Sequence, residues 1–147
     1  MPSHRVDNTI AVNLTSAITI VQTALPLLRA AARTHSAQGA RVIAISSITG
    51  IYAEPGLAVY GASKAALISL METLNAEEST SGVMATAIAP AYVATDMSAW
   101  TTDTIPADTM IPVADVVAVV RMLIEFGATT SLTKVALSRS GGSAFTA

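Results

Sequence analysis

The amino-acid sequence predicts an α/β fold built on a doubly wound parallel sheet. Helical and extended patterns alternate along the 147 residues, in the order helix, strand, helix, strand, helix, strand. The extended segments are short apolar runs without polar alternation, which is typical of parallel strands covered on both faces. The composition is 52% hydrophobic and only 12% charged, so a large buried core is expected. No repeat or linker divides the chain, and right-handed crossovers would place all the elements in one domain.

Each predicted element has its own local signal. The first helix has apolar residues three or four positions apart, among them Val12, Val21 and Leu28. β-branched residues dominate the run RVIAISS in the first strand, and Pro90 stops the second strand. Gly and Pro residues mark the loop before the second helix. These signals predict helices over residues 7–33, 57–79 and 113–126, and strands over residues 41–47, 82–90 and 132–139.

Charge and composition favour small-molecule chemistry over nucleic-acid, membrane or metal binding. Ten acidic and eight basic residues are scattered without runs, so no basic face for nucleic acid is predicted. The uncharged stretch 8–28 contains Asn13, Gln22 and several Ser and Thr residues, which are too many polar groups for a hydrocarbon span. The chain has no Cys, and His4 and His35 are not spaced as metal ligands. Its start lacks the pattern of a signal peptide, and a cytoplasmic protein is expected.

Polar residues follow the carboxyl ends of the three predicted strands, where open parallel sheets bind their ligands. These segments are Ser46-Ser47, residues 90–95 and residues 138–142. Tyr60 precedes Lys64 by four positions on the next helix, so the phenol and the ammonium share one face. A free phenol has a pKa of about 10, and a nearby cation lowers that pKa. Such a tyrosine can exchange a proton with an alcohol or carbonyl oxygen, and Ser47 is placed to hold that oxygen.

Several segments, in order and at suitable separations, resemble motifs of the short-chain dehydrogenase/reductase family. VIAISSITGIYAEPGLAVYGASKAALISL resembles the family's active-site segment, with its Ser and its Tyr-x-x-x-Lys motif. IAVNLTS resembles the helix that bears a fourth catalytic residue, and AIAPAYVATDM resembles the loop against the nicotinamide. The resemblance implies NAD or NADP as the cofactor and hydride transfer between an alcohol and a ketone or aldehyde. It covers nearly the whole chain, but it corresponds only to the C-terminal part of the family's Rossmann-like fold.

The resemblance implies a role for each candidate site residue. Tyr60 would be the general acid/base, Lys64 would lower the Tyr60 pKa and hold the nicotinamide ribose, and Ser47 would orient the substrate oxygen. Asn13 would hold a relay water. The implied cofactor contacts are Tyr60, Lys64, Pro90, Ala91, Val93 and Thr95. Ala91 stands where the family usually has Gly, which implies a slightly altered backbone or a tighter nicotinamide pocket.

The N-terminal half of the family's fold has no counterpart in the sequence. There is no Thr-Gly-x-x-x-Gly-x-Gly turn for the cofactor phosphates and no acidic ribose-binding residue after a second strand. Residues 1–147 are therefore predicted to form a single incomplete Rossmann-like domain that carries the catalytic half and is inactive alone. Without the N-terminal half, the strand 41–47 would have an unpaired edge, and the apolar faces of the first two helices would lose much of their cover. Three arrangements would supply the cover: a longer enzyme of which this sequence is a fragment, a separate chain, or a homo-oligomer that pairs through the open edge. The alternative is a non-catalytic remnant or association module derived from the same fold.

Two further activities fit the sequence less well. Gly56 and Gly61 have the spacing of a P-loop, but the residues that follow them are Ala-Ser-Lys instead of Gly-Lys-Ser/Thr. A hydrolase based on Ser47 would need a histidine base, and neither histidine is suitably placed. Substrate choice is expected to depend on the loop 96–111, which contains the only tryptophan, Trp100.

Overall fold

Three parallel strands form the sheet, in the order β1-β2-β3. A computed structural model describes residues 2–141 of the chain. The strands are β1, Ala40–Ile45, β2, Val83–Pro90, and β3, Lys134–Leu137. Ile45 pairs with Ile88, and Pro90 pairs with Leu137. The carboxyl ends of the strands therefore lie side by side at one edge of the sheet, where the sequence predicts the site.

Helices precede or connect the strands, and the predicted α/β class is confirmed. A continuous N-terminal helix consists of α1, Ser3–Ile10, a π-helical segment, Ala11–Thr15, and α2, Ser16–Thr34. The other helices are α3, Ala58–Glu78, and α4, Val113–Glu125. The bounds of the later elements lie close to the predicted ones. The first helix begins earlier than predicted, and β1 ends before the two serines, which start a turn instead.

β2 and α3 form the centre of the protein. Every residue of β2 is buried, and α3 packs its apolar face against this strand. Alternate residues of a strand point to one side, and residues three or four apart on a helix share a face. The contact therefore joins small strand side chains to larger helix side chains, which are Ala85, Ala87 and Ala89 on β2 and Leu67, Ile68, Met71 and Leu74 on α3.

β1 is an edge strand among the described residues. Only β2 pairs with it, and most of its residues are half-buried. Ile45, at its end, is 47% exposed. The faces of β1 are therefore less covered than its apolar sequence predicts. The edge of β1 away from β2 is unpaired among the described residues, as expected. Such an edge carries unpaired backbone N–H and C=O groups that can bind another strand.

The N-terminal helix has one packed and one exposed apolar face. Val21 and Leu25 on the packed face contact the core around α3. Val12, Ile20 and Leu27 are 70%, 66% and 73% exposed. Val12 lies in the π-helical segment, where the wider turn shifts the phase of the helix faces.

The same helix, Ser3–Thr34, is long and apolar enough to cross a membrane by length and composition, with a mean hydropathy of 1.5 over its most apolar window. Only 6% of that window is buried. Core helices of soluble proteins meet the same two criteria, so length and composition do not distinguish a core helix from a membrane-spanning helix. The absence of membrane binding, which the polar Asn13 and Gln22 indicate, stays a prediction.

An ion pair joins α2 to the C-terminal end of α3. The Arg29 Nε donates to Glu78 Oε2 at 2.7 Å, and the Arg29 Nη2 donates to the other carboxylate oxygen. The Glu78 side chain is only 7% exposed. Hydrogen bonding to the guanidinium holds the pKa of Glu78 below its ordinary value. The long helix is thus attached to the centre of the protein by charge as well as by apolar packing.

Candidate active site

A cavity of about 920 Å³ lies at the carboxyl ends of β1 and β2. The turn after β1, the start of α3 and the loop after β2 contribute to its wall. Every site residue that the sequence predicts lines this cavity: Asn13, Ser47, Tyr60, Lys64, Pro90, Ala91, Val93 and Thr95. The fold therefore brings these residues together, while their roles stay predictions.

Ser47 begins a short 3₁₀ turn, Ile48–Gly50, directly after β1. Its Oγ accepts hydrogen bonds from the Thr49 amide at 3.2 Å and from the Thr49 hydroxyl at 2.9 Å. A hydroxyl has two acceptor lone pairs and one proton, so the Ser47 proton is left for another acceptor. Through its hydroxyl, Ser47 opposes the rise that burial causes in the pKa of Tyr60, and both side chains line the same cavity.

Two glycines let this turn approach α3 closely. A Cβ on Gly50 would lie 2.7 Å from the Lys64 carbonyl carbon, and a Cβ on Gly61 would lie 2.9 Å from the Thr49 carbonyl oxygen. Both distances are too short for a real Cβ, so glycine is needed for the approach of the two backbones. The Ser46 Oγ also donates to the Lys64 carbonyl oxygen at 2.8 Å. The turn after β1 is therefore fixed against the first turns of α3.

Tyr60 and Lys64 lie half-buried on the part of α3 that lines the cavity. The Lys64 Nζ is 5.6 Å from the centroid of the Tyr60 ring and donates to the Ile45 carbonyl oxygen at 3.0 Å. Burial raises the pKa of Tyr60, the hydrogen bond with Ser47 opposes this rise, and the charge of Glu54 adds to it. Burial lowers the pKa of Lys64. The lowered phenol pKa that the resemblance implies is therefore not found here, and Tyr60 holds its proton.

Asn13 reaches the site from the π-helical segment. Its Nδ2 donates to the Ser63 Oγ at 3.0 Å, and the Ser63 Oγ donates to the Tyr60 carbonyl oxygen at 2.7 Å. Ser63 is fully buried, so the Ser63 end of both bonds is shielded from water. π-helical turns inside α-helices are frequent at functional sites. The bonds connect Asn13 to the turn of α3 that carries Tyr60.

The loop after β2 forms another part of the wall. Pro90 ends the strand, and the Ala91 amide donates to the Leu137 carbonyl oxygen at 2.8 Å. Val93 forms an isolated parallel bridge with Ile111. No described residue other than glycine has a positive φ, so Ala91 needs no glycine conformation. The Ala that replaces the expected Gly is thus accommodated without backbone strain.

Sequence reasoning missed a second polar cluster in the cavity wall. The Tyr92 hydroxyl donates to Glu54 Oε1 at 2.8 Å, and both residues line the cavity. The Tyr92 ring meets the Trp100 ring edge-on, with 6.2 Å between the centroids. Glu54 and Tyr92 lie 38 positions apart, so no local spacing indicates that they pair. The one available signal was a charged residue in the loop that leads into α3.

The fold and the site define a Rossmann-like α/β protein whose polar groups gather at the carboxyl ends of parallel strands. Residues 1–105 match the short chain dehydrogenase family. The match covers more than half of the chain, and the chain belongs to this family of oxidoreductases. The resemblance that the motifs indicate is thereby confirmed.

Individual relatives match parts of the chain. It is 47% identical over 58 residues to the 3-oxoacyl-(acyl-carrier-protein) reductase of Rickettsia prowazekii, which covers 40% of this chain and 24% of that protein. A 3-oxoacyl-(acyl-carrier protein) reductase with bound NAD from Brucella melitensis superposes with a TM-score of 0.76 and 22% identity, over 94% of this chain and 52% of that chain. A short chain dehydrogenase from Burkholderia cenocepacia in complex with NADP gives a TM-score of 0.74 and 24% identity, over 92% and 51%. The chain spans about half the length of these solved structures.

Proposed function

We propose that the chain is the catalytic part of an NAD(P)-dependent oxidoreductase that interconverts a small-molecule alcohol with a ketone or aldehyde. The observation that carries this proposal is the gathering of Ser47, Tyr60, Lys64 and Asn13 on the wall of one cavity. Membership of the short chain dehydrogenase family supports it. The cavity volume also suits a small molecule, since ligand pockets commonly enclose about 300–1,000 Å³.

In this proposal Tyr60 is the general acid for carbonyl reduction. Burial is the main cause of its raised pKa, so the phenol carries a proton that it can donate to a carbonyl oxygen. Ser47 would orient that oxygen by turning its hydroxyl proton from Tyr60 to the substrate, because Thr49 occupies the lone pairs of its Oγ. The ammonium of Lys64 stabilises the phenolate that remains after the transfer. Asn13 would hold the water that returns a proton to Tyr60.

The residues near the loop after β2 fit the nicotinamide end of NAD or NADP. Lys64 offers an ammonium donor for a ribose hydroxyl, Thr95 offers a hydroxyl, and the loop contributes an apolar wall of Pro90, Ala91 and Val93. The cofactor, when bound, supplies the hydride to the carbonyl carbon or accepts it from the alcohol. One solved relative is described with NAD and another with NADP, and we propose one of these two cofactors without choosing between them.

Turnover is proposed to need more polypeptide than these residues. The chain spans about half of its solved relatives, and its sequence has no Gly-rich turn for the cofactor phosphates. We propose that the chain alone is inactive and that upstream sequence, or a separate chain, supplies the remaining half. The open edge of β1 is suited to a further parallel strand. A homo-oligomer in the cytoplasm is the expected form.

A cofactor oxidation assay tests the proposal. The chain, and the chain extended by any upstream reading frame, would be assayed with NADH or NADPH and a panel of ketones and aldehydes. Tyr60→Phe keeps the ring but removes the proton donor, and it should lower kcat/KM by about 10²- to 10⁴-fold. Tyr52→Phe is the matched control, because Tyr52 is not among the residues that line the cavity. Lack of cofactor binding and lack of Tyr60-dependent turnover in the extended protein would reject the proposal.

A non-catalytic association module is the second candidate, and the exposed apolar surface favours it. Val12, Ile20 and Leu27 form an uncovered face on the N-terminal helix, and β1 has an open edge. This candidate predicts stable self-association, measured by analytical ultracentrifugation, and no cofactor-dependent turnover in any form of the protein. Turnover that Tyr60→Phe abolishes would exclude it.

A further inference from the structure

One carboxylate lies in the wall of the cavity beside the predicted proton donor. Glu54 is half-buried in the loop that leads into α3 and lines the same cavity as Tyr60. Its Oε1 accepts the Tyr92 hydroxyl, while its buried Oε2 has no hydrogen-bond partner among residues 2–141. A carboxylate can accept about four hydrogen bonds, so Glu54 keeps acceptor capacity that the described residues do not use. Buried acceptors without partners are rare because each one costs free energy.

The charges around the cavity are unbalanced. Of its lining residues, Glu54 and Asp96 are acidic, and Lys64 is the one basic side chain. The Lys64 ammonium already donates to the Ile45 carbonyl oxygen. Asp96 is exposed, where water screens its charge, whereas Glu54 is half-buried and acts at lower dielectric. Besides burial, the charge of Glu54 raises the pKa of both Tyr60 and Tyr92, and the charge of Arg139 opposes it at Tyr92. A ligand beside these two phenols therefore meets the charge of Glu54 as well as the ammonium of Lys64.

Tyr92 keeps the Glu54 carboxylate in the wall. Burial, followed by the hydrogen bond to Glu54, raises the pKa of Tyr92 to about 12, so its hydroxyl stays a donor at neutral pH. The Tyr92 ring is in turn supported by its edge-on contact with Trp100. The carboxylate is thus held at a fixed position by a side chain that is itself packed.

We propose that Glu54 is a specificity-determining residue, which selects carbonyl substrates with a neighbouring hydrogen-bond donor and disfavours substrates with an anionic group. A ligand hydroxyl or ammonium would use the free acceptor capacity of the carboxylate, whereas an anionic group would meet a like charge that is poorly screened. The proposal rests on the proposed function, because it treats the cavity as the substrate site. It concerns Glu54 alone and involves no additional chemical step.

Trp100 allows a binding test that does not require turnover. It lines the cavity and is the only tryptophan of the chain, so a ligand that enters should change its fluorescence. The ligands are three methyl ketones on the same carbon chain that end in a hydroxyl, a methyl or a carboxylate group. The protein is the preparation used in the turnover assay, and Trp100→Phe identifies the part of the signal that comes from this site.

The hydroxyl ketone should bind about tenfold more tightly than the carboxylate ketone, with the methyl ketone between them, a ratio that corresponds to about 1.4 kcal/mol. Glu54→Gln keeps the size of the side chain and should reduce the ratio to about one. Tyr92→Phe keeps the charge of Glu54 and should preserve discrimination against the carboxylate. Glu77→Gln is the matched control, because it removes the same charge from an exposed position at the far end of α3.

Two results would overturn the assignment of Glu54. One is a binding ratio that Glu54→Gln leaves unchanged, and the other is the lack of a Trp100 response to all three ketones. Failure of the proposed function looks different, because turnover would then be absent while the binding ratio and its dependence on Glu54 persist. If turnover is present, the same order should be found in kcat/KM for the three ketones.

Discussion

The centre of the molecule and its N-terminal helix are both built from apolar sequence, but they bury very different amounts of it. Every residue of β2 is buried, and α3 contributes six buried positions. α2 has 19 residues, of which two are buried, and α1 has none. The helix touches the rest of the protein through one face, whereas β2 is enclosed by its neighbours.

Because of this difference, some of the predicted catalytic residues are held by the buried core and one is held by a largely exposed helix. Ser47, Tyr60 and Lys64 are attached to the closed centre through the turn after β1 and the start of α3. Asn13 comes from the helix with an uncovered face, and its link to the centre is the hydrogen bond to Ser63. The uncovered face also supports the proposal that further polypeptide or a second copy packs against this helix.

The same Leu→Ala substitution, made once in each region, should give the largest difference in the free energy of unfolding between the two regions. Leu74→Ala opens a hole in the core between α3 and the sheet, and it should lower the free energy of unfolding by about 2–5 kcal/mol. Leu27→Ala on the exposed face should change it by no more than about 0.5 kcal/mol. Urea denaturation of both variants measures the difference. A large loss for Leu27→Ala would show that its face is covered in solution and that the comparison holds only for the monomer.

Gly50→Ala tests whether close backbone contact holds the catalytic turn to the centre. The added Cβ would clash with the backbone of α3 near Lys64, so the turn must move away from the helix. We expect the free energy of unfolding to fall by about 1–3 kcal/mol. We also expect kcat to fall by a larger factor than the factor by which KM changes. In the control, Gly127→Ala, the Cβ would lie 3.4 Å from the Ala37 carbonyl oxygen and should be tolerated. Equal behaviour of the two variants would contradict the role given to Gly50.

The ion pair between the two regions should give the smallest effect, and one that depends on pH. Because the pKa of Glu78 is lower in the folded protein than its ordinary 4.5, the pair stabilises the fold above that pH. This contribution is lost as the pH falls through the folded-state pKa. Thermal melts should therefore show a steeper fall of Tm below pH 4.5 in the wild type than in Glu78→Gln. Glu77→Gln, at the next position and exposed, should follow the wild-type profile.

Much of the fold could be predicted from the sequence because its signals are local. Periodicity located the helices, and apolar β-branched runs located the strands. The sequence did not predict which side chains of the long helix face the core, because a single π-helical segment rotates the helix faces. Val12 lies in that segment and is exposed. The exposure of the helix and of β1 also depends on which layers surround them. Composition does not carry that information.

The sequence by itself determined the order of the elements, the Tyr60–Lys64 pair on one helix face, and a serine at the end of a strand. Each of these depends on residues within one element or one turn, where spacing fixes geometry. Only the tertiary structure decided which distant side chains meet, such as Asn13 with Ser63 and Glu54 with Tyr92. It also decided the direction of the Tyr60 pKa shift, because burial outweighs the hydrogen bond with Ser47. Burial is a property of the packed molecule, and the spacing of Tyr60 and Lys64 does not reveal it.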